Sequence, residues 1–384
     1  MSERVLTTSR PAKRFKVALS EDRSEVQAAW AALEGQGGPF QSRAWLIPWY
    51  RIVAPKHDAR PLFVTVRDEE SGEPVMFMPL CRRRWLGVAT IEFPDLGVSD
   101  YNAPLIAPDL DLDAATSKSL WSQICRALPA ADIFRLDKSP ASLANPFARL
   151  DWVQELKLRA WPLPLPATFA TYETEFLSRK ARKEHRRKRN NLTERVGEWR
   201  LVTAEDRAQG ERIYAALRRE RLARFGPDNL LEDPCFALLY RSVMFDNWGA
   251  LGSLSALQCG DRILAAQLSL RWRGSRLLIM HAFEPELESL SAGIVAIDAL
   301  IAQGIAAGES CLDFTVGNEG YKREFGVTEA RLLGGIYPLS AFGRLFALAY
   351  RPLVEGKEAV KRRLELWRNV APAAVAADAK ADSR

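Results

Sequence analysis

The chain has 384 residues, 47% of them hydrophobic and 27% charged, with a formal net charge of +6. This length and balance suit a globular chain of two domains, or one large domain with elaborations, that buries its core without disulfide staples. Between Arg179 and Arg189 eight Lys/Arg face a single Glu, a net of +7, so the rest of the chain sums to −1. The basic character is therefore local, unlike that of a chain built to coat nucleic acid.

Residues 1–14 read as a flexible tail with no apolar stretch after their charges, hence no signal peptide. No run approaches the ~18 apolar residues that span a bilayer, and the expected location is the cytoplasm. "FKVAL" (15–19) predicts a strand. Val26, Trp30 and Leu33 at helical spacing predict a helix that stops at Gly35. "SRAWLIPWYRIVA" (42–54) predicts a second helix. "RPLFVTVRD", "PVMFMPLCRRRW" and "ATIEFPDLG" predict three strands, followed by the irregular "VSDYNAPLIAP". A helix over 114–128 and the strand "DIFRLDK" (132–138) complete a unit over 15–155.

The second half, 165–340, repeats that order behind the proline-rich "RAWPLPLPAT", which marks a boundary near 155–168. A helix over 171–196 contains the basic run. The strand "EWRLVTA" and helices over 204–225 and 233–247 follow. Three strands, "GSLSALQC", "RILAAQLSLRWR" and "SRLLIMHAFE", are separated by the turns Gly260-Asp261 and Gly274-Ser275, a meander signal. Ile294, Ile297, Ile301 and Ile305 share one helical stripe. "SCLDFTVG" and "RLLGGIYPL" predict the last strands. Helices over 341–369 and a disordered tail over 370–384 are expected at the end. Strand, two helices, three strands, helix, strand, stated twice, is the element order of tandem acyl-CoA N-acyltransferase (GNAT-like) folds, an α/β (α+β) class with mixed central sheets flanked by helices.

Cys81, Cys125, Cys235, Cys259 and Cys311 are scattered and odd in number, and none of the three histidines has ligand spacing, so no metal site is expected. A particular resemblance rests on "SAGIVAIDALIAQGIAAGESCLDFTVGNEGYKREFGV" (291–327), "PFQSRAWLIPWY" (39–50) and "GVSDYNAPLI" (97–106). Their Ser291-Ala292-Gly293, Asp313-Phe314, Gly317, Tyr321-Lys322 and Phe325-Gly326 resemble the signature of the CelD-like acetyltransferases. That family belongs to the Gcn5-related superfamily and is distantly similar to Fem-type aminoacyltransferases. It serves cellulose and exopolysaccharide synthesis in bacteria. Ala292 stands where the family carries Pro.

The resemblance implies an acyl-CoA-dependent N-acyltransferase, with acetyl-CoA or another acyl-CoA as co-substrate and no metal. The acceptor it implies is an amino sugar or related amine of exopolysaccharide or envelope synthesis, free or nucleotide- or lipid-linked. Ser291, Ala292, Gly293 and Ile294 open a helix whose free N–H groups would bind the pyrophosphate. The alternative is an ordinary Ser N-cap. Lys322 would neutralise a phosphate or the oxyanion, Tyr321 would protonate the thiolate, and Asp313 would orient or deprotonate the amine. The alternatives are a surface Lys, a packing Tyr and a turn-capping Asp. Asp100 and Tyr101 are acceptor-contact candidates between the halves. His281, on a strand that should line the cleft, reads as a core histidine, with proton acceptance as its alternative.

The basic helix has a thin apolar stripe, Leu177, Ala181, Leu192 and Val196. Its cations repel one another at i,i+4, which an anion nearby would relieve, so Arg182 and Arg186 are substrate-contact candidates. Anionic lipid and RNA are further partners for it, and a solvated face with no partner is the alternative. DNA is disfavoured, because the run has no interleaved aromatics or helix-turn-helix module. Two rival readings are a Fem-type aminoacyltransferase using charged tRNA and a non-catalytic anion-binding module on the same fold. Peripheral membrane contact through 342–353 is the alternative to packing on the core.

Overall fold

The structure, a computed structural model, describes residues 14–141, 145–226 and 229–350. The expected tail over 1–13, the helices beyond residue 350 and the tail over 370–384 lie outside the described residues; residues 341–350 are helical. The first half runs β1 (Phe15–Ser20), α1 (Arg23–Leu33), α2 (Arg43–Pro48), a π-helical turn (Trp49–Val53), the single turn α3 (Ala54–Lys56), β2 (Arg60–Asp68), β3 (Pro74–Trp85), β4 (Val88–Glu92), the short β5 (Leu105–Ile106), α4 (Ala114–Ala127) and β6 (Ile133–Pro140). The helix expected over 42–54 widens into the π-turn directly after Pro48, which lacks the N–H for an i−4 bond.

The proline-rich boundary is the end of a strand, β7 (Gln154–Pro164). After it come the single turn α5 (Phe169–Thr171), a π-turn (Tyr172–Phe176), the basic helix α6 (Arg179–Val196), β8 (Arg200–Thr203), α7 (Arg207–Phe225), α8 (Pro234–Phe245), β9 (Gly252–Cys259), β10 (Arg262–Trp272), β11 (Ser275–Phe283), α9 (Ala292–Ala306), β12 (Cys311–Val316) and β13 (Ala330–Pro338). The helix expected over 171–196 is broken at Leu177, which is extended; the Ser178 side chain then caps α6 by accepting from the Ala181 N–H at 3.1 Å. The β10–β11 turn falls on Arg273-Gly274, both at positive φ, one residue earlier than expected.

The two halves form one 13-stranded sheet. Its order is β1-β2-β3-β4-β6-β13-β7-β12-β11-β10-β9-β8, with β5 pairing β3. β13, the last strand of the second half, inserts between β6 and β7, and so welds the halves. Prolines are uncommon in a central strand because they remove a ladder donor. In β7 the carbonyl of Pro162 accepts from Thr328, so its imide nitrogen faces the β13 side, and Pro164, two residues on, faces the same way. β13 begins pairing only at Ala330↔Ala160, so no ladder bond is lost at either proline.

One apolar core also crosses the boundary. Trp30, Trp45 and Trp49 of the first half pack with Phe236, Tyr240 and Leu268 of the second. The rings of Trp45 and Tyr240 lie 5.9 Å apart, edge to face. Trp272 Nε1 donates to the Gly37 carbonyl at 2.7 Å, and Arg51 pairs with Asp246 at 2.6 Å.

Candidate active site between two parting strands

β11 and β12 are parallel neighbours for three residues only, from Ser275↔Cys311 to Leu277↔Asp313. Beyond that point β11 follows β10 and β12 follows β7, so an opening develops between them. A bulge between Leu268 and Ser269 leaves Ile279 of β11 without a partner at the same level. β4 and β6 part in the same way after Glu92↔Arg135. That first opening is closed by its own loop. Lys138 Nζ pairs with Asp95 at 2.7 Å and donates to the Ser99 carbonyl. Asn102 Nδ2 donates to Asp95 at 3.0 Å, and Trp45 Nε1 to Ser99 Oγ at 3.1 Å.

The same loop carries Asp100 and Tyr101 into the second opening. Tyr101 OH donates to Asp313 Oδ2 at 2.8 Å, and the Thr315 N–H donates to Oδ1 at 2.7 Å. Thr315 has a left-handed backbone, φ +57°, which bends the end of β12 around the carboxylate. Burial raises the Asp313 pKa despite the Tyr101 and Thr315 hydrogen bonds and the nearby Lys322 charge. Burial also pushes Asp100 up to about 6, against the opposing pull of Lys138 and a bond with Thr315.

The 3-10 turn Gly320–Phe325 brings Tyr321 and Lys322 to the opening. Tyr321 OH lies 3.3 Å from His281 Nε2, and burial raises its pKa well above the ordinary 10. Lys322 is only 3% exposed, not the surface lysine of the bland expectation. Its ammonium donates to the Val316 carbonyl at 2.8 Å and pairs with Glu319 at 3.0 Å, tying the turn to the end of β12. His281 is held down to about 4 by burial, then by Arg221, Arg224 and Lys322. Its Nδ1 is buried with no partner among the described residues.

The far end of the opening meets α9. Ser291 adopts φ +57° and its side chain makes no cap hydrogen bond among the described residues, unlike the N-cap alternative; its carbonyl accepts from Ile294 and Val295. The Ala292 and Gly293 amides have no acceptor among the described residues. A Cβ on Gly293 would lie 2.7 Å from the Phe283 ring and 3.6 Å from His281 Nδ1, so glycine is what lets the helix end approach the strand. Ala292 is buried and Ile294 half-buried. From α7, Arg221 donates to the His281 carbonyl at 3.3 Å and Arg224 stacks 4.9 Å above the Phe283 ring. Free amides and a positive helix end suit an anionic group such as a pyrophosphate.

Arg182 and Arg186 do not join this constellation. Arg182 donates to the Glu173 carbonyl at 3.3 Å, and Arg186 is exposed with no charged partner among the described residues. α6 instead anchors through His185 and Arg189. His185 Nδ1 lies 3.3 Å from Asp298 of α9, Arg189 bonds the other Asp298 oxygen, and Arg189 pairs with Glu173 at 2.8 Å. His185 falls on the apolar stripe of α6 between Ala181 and Leu192, and a lone Asp in the Ile/Ala stripe of α9 was the matching signal. Among the described residues no group of His, Cys, Asp and Glu could hold a metal ion, and no helix is long and apolar enough to cross a membrane.

Paired mixed units with parting parallel strands, each followed by a helix, define tandem GNAT acyltransferase folds. Residues 179–323 match the family model described as acetyltransferase (GNAT) domain. In fold the chain is similar to FemX, at 10% identity over 85% of this chain and 97% of that one, with a TM-score of 0.55. It is similar at 12% identity to a conserved protein of unknown function from Bacteroides thetaiotaomicron, over 84% and 100% of the two chains, TM-score 0.52. A third likeness is to a C-terminal domain assigned to a lysylphosphatidylglycerol synthetase from Agrobacterium fabrum, at 12% identity over 86% and 95%, TM-score 0.51. At these identities the likeness is one of fold. No curated protein matches the chain.

Proposed function

We propose that the protein transfers an acyl group from an acyl-coenzyme A thioester to an amine. The observation that carries this reading is the opening between β11 and β12, which runs from the free first turn of α9 to the Tyr101–Asp313 pair. In the reaction the amine nitrogen bonds the thioester carbon, the carbon–sulfur bond breaks, and the amine loses a proton while the sulfur gains one. The Ala292 and Gly293 amides, in the Ser291–Ile294 turn, hold the pyrophosphate. Asp313, kept in place by Tyr101 and Thr315, receives the amine and takes its proton. Asp100 adds a second carboxyl beside it. Tyr321 protonates the departing sulfur. Lys322 positions the turn that carries Tyr321 and contributes positive charge to the opening.

The CelD-like resemblance supports an amino sugar or related amine of exopolysaccharide or envelope synthesis as the acceptor. An acyl-coenzyme A donor makes the cytoplasm the place of reaction. One observation favours a second donor, aminoacyl-tRNA: Arg179, Lys180, Lys183 and Arg186 on α6 are exposed and unpaired among the described residues. A thermal melt with acetyl-CoA, longer acyl-CoAs, free coenzyme A and bulk tRNA at two salt concentrations separates the readings. A ligand at a hundredfold its Kd adds ~2.7 kcal/mol. A salt-tolerant shift with one acyl-CoA supports the proposal. A shift with tRNA alone moves the donor to tRNA, and silence from every thioester overturns acyl-coenzyme A use.

A further inference from the structure

α9 covers a row of polar groups that the scheme above leaves unused. Gln267 of β10 stands directly across from His281 of β11 and from Ser255 of β9, and Ser269 stands across from Ser253. Residues opposite one another, or two apart on a strand, share a face of the sheet. α9 lies on that face, since Gly293 adjoins His281 Nδ1 and Thr203 bridges Ser255 to Gln303 of α9. Gln267 is 1% exposed, and neither of its amide atoms has a partner among the described residues. The Ser253 and Ser269 hydroxyls and His281 Nδ1 are also buried without one among the described residues. Buried polar atoms are nearly always bonded, and this row runs beneath α9 from the His281 ring near Gly293 towards Gln303.

The other nitrogen of His281 is engaged. Tyr321 OH is assigned as the donor to Nε2 at 3.3 Å, which leaves the ring proton on the orphan Nδ1; this tautomer is an assignment from the network. The groups facing the ring are Arg221 and Arg224 from α7, Lys322, Glu319 and Tyr321 from the 3-10 turn, neutral Gln267 from β10, and the first-turn amides of α9. Burial first, and then three cations against one acid, keep the free ring neutral. An anion on the first turn of α9 reverses that balance at the Nδ1 side.

We infer that His281 is a proton store charged by the donor substrate: an anionic group seated on the α9 turn draws a proton from solvent onto the ring, and Tyr321 delivers it to the leaving sulfur. The balance is complete. On binding, solvent gives up one proton and His281 becomes an imidazolium. On carbon–sulfur cleavage the sulfur takes the Tyr321 proton and Tyr321 takes one from Nε2, which returns His281 to neutrality. The amine's own proton goes to Asp313. His281 acts through Tyr321 and is a positioning residue. This inference rests on the acyl-coenzyme A reading of the same site.

The test is calorimetric binding of 3′-dephospho-coenzyme A, whose pyrophosphate does not titrate near neutrality, at about pH 6 in buffers of different ionisation enthalpy. The wild-type protein should take up a large fraction of one proton on binding, falling towards zero above about pH 8. His281→Gln should bind with no uptake. Binding by wild type without uptake, or equal uptake by His281→Gln, overturns the inference and leaves the acyltransferase reading standing. No binding of this probe, together with silence from every thioester, removes that reading and this inference with it, and binding of a thioester but not of the probe overturns the inference alone. If His281→Gln does not fold, histidine ring NMR on wild type decides. The chain has three histidines, and one ring must titrate at higher pH once the ligand is added. Three unmoved titrations overturn the inference.

Discussion

Replacing Asp100 with Asn separates the cost of an ionised carboxylate from the shape of the loop that carries it. Asp100 titrates at about 6 rather than its ordinary 3.8, because burial outweighs Lys138 and Thr315. Between those values the folded protein holds a proton that the unfolded chain has released. Its contribution to stability therefore falls as pH rises from about 4 to about 6 and stays low above that. At about 1.4 kcal/mol per tenfold change in proton affinity, the full loss is about 3 kcal/mol. His281 acts oppositely. Held at about 4 against an ordinary 6.5, it lacks a proton that the unfolded chain keeps, so its contribution rises with pH through that window. Subtracting wild type from variant cancels the His281 slope and leaves that of Asp100. Asp100→Asn should match wild type near pH 4 and be about 2–3 kcal/mol more stable at pH 8, on the order of 5 °C in Tm. Urea and thermal unfolding at pH 4, 6 and 8 measure this. A variant less stable at pH 8 than at pH 4, each relative to wild type, would mean that the ionised carboxylate is net favourable, and the reasoning would be refuted.

Three further outcomes are expected. Tyr101→Phe removes only the hydroxyl that donates to Asp313 across the two halves; it should cost about 1–2 kcal/mol in chemical unfolding and lower kcat/KM for the amine several-fold. Gly293→Ala puts a Cβ 2.7 Å from the Phe283 ring, so overpacking should cost about 1–3 kcal/mol and coenzyme A affinity, read by calorimetry, should drop about tenfold or more. Asp298→Ala leaves Arg189 and His185 without their shared partner under α6; a loss of about 3 kcal/mol is expected in urea unfolding, far above the ~0.5 kcal/mol of an ordinary surface change such as Arg186→Ala.

Much of this protein is written locally. The 3.6-residue spacing of Leu120, Trp121 and Ile124 and of the α9 isoleucines sets two helices, and Gly260-Asp261 sets a hairpin, because each depends on neighbours within a turn or two. Tyr321, Lys322 and Asp313 are legible as candidates from residue type and order. β7 is not, because Pro162 and Pro164 read as a linker until β13 is seen to begin beyond them. Nor is the Tyr101–Asp313 bond, formed between residues 212 apart in sequence. The His185–Asp298 anchor is hidden for a related reason: a lone His and a lone Asp on separate helices declare nothing until packing removes both from water.

The amino-acid order alone determined most of the elements and their order in two halves, and it marked Ser291-Ala292-Gly293 as a helix start, since periodicity and backbone freedom act within a few residues. Only the tertiary structure decided that β13 joins the halves into one sheet, that Lys138 closes the first opening, and that the loop closing it supplies Asp100 and Tyr101 to the second. Strand pairing and the desolvation of charge depend on which distant segments meet, and no spacing within the sequence encodes that meeting.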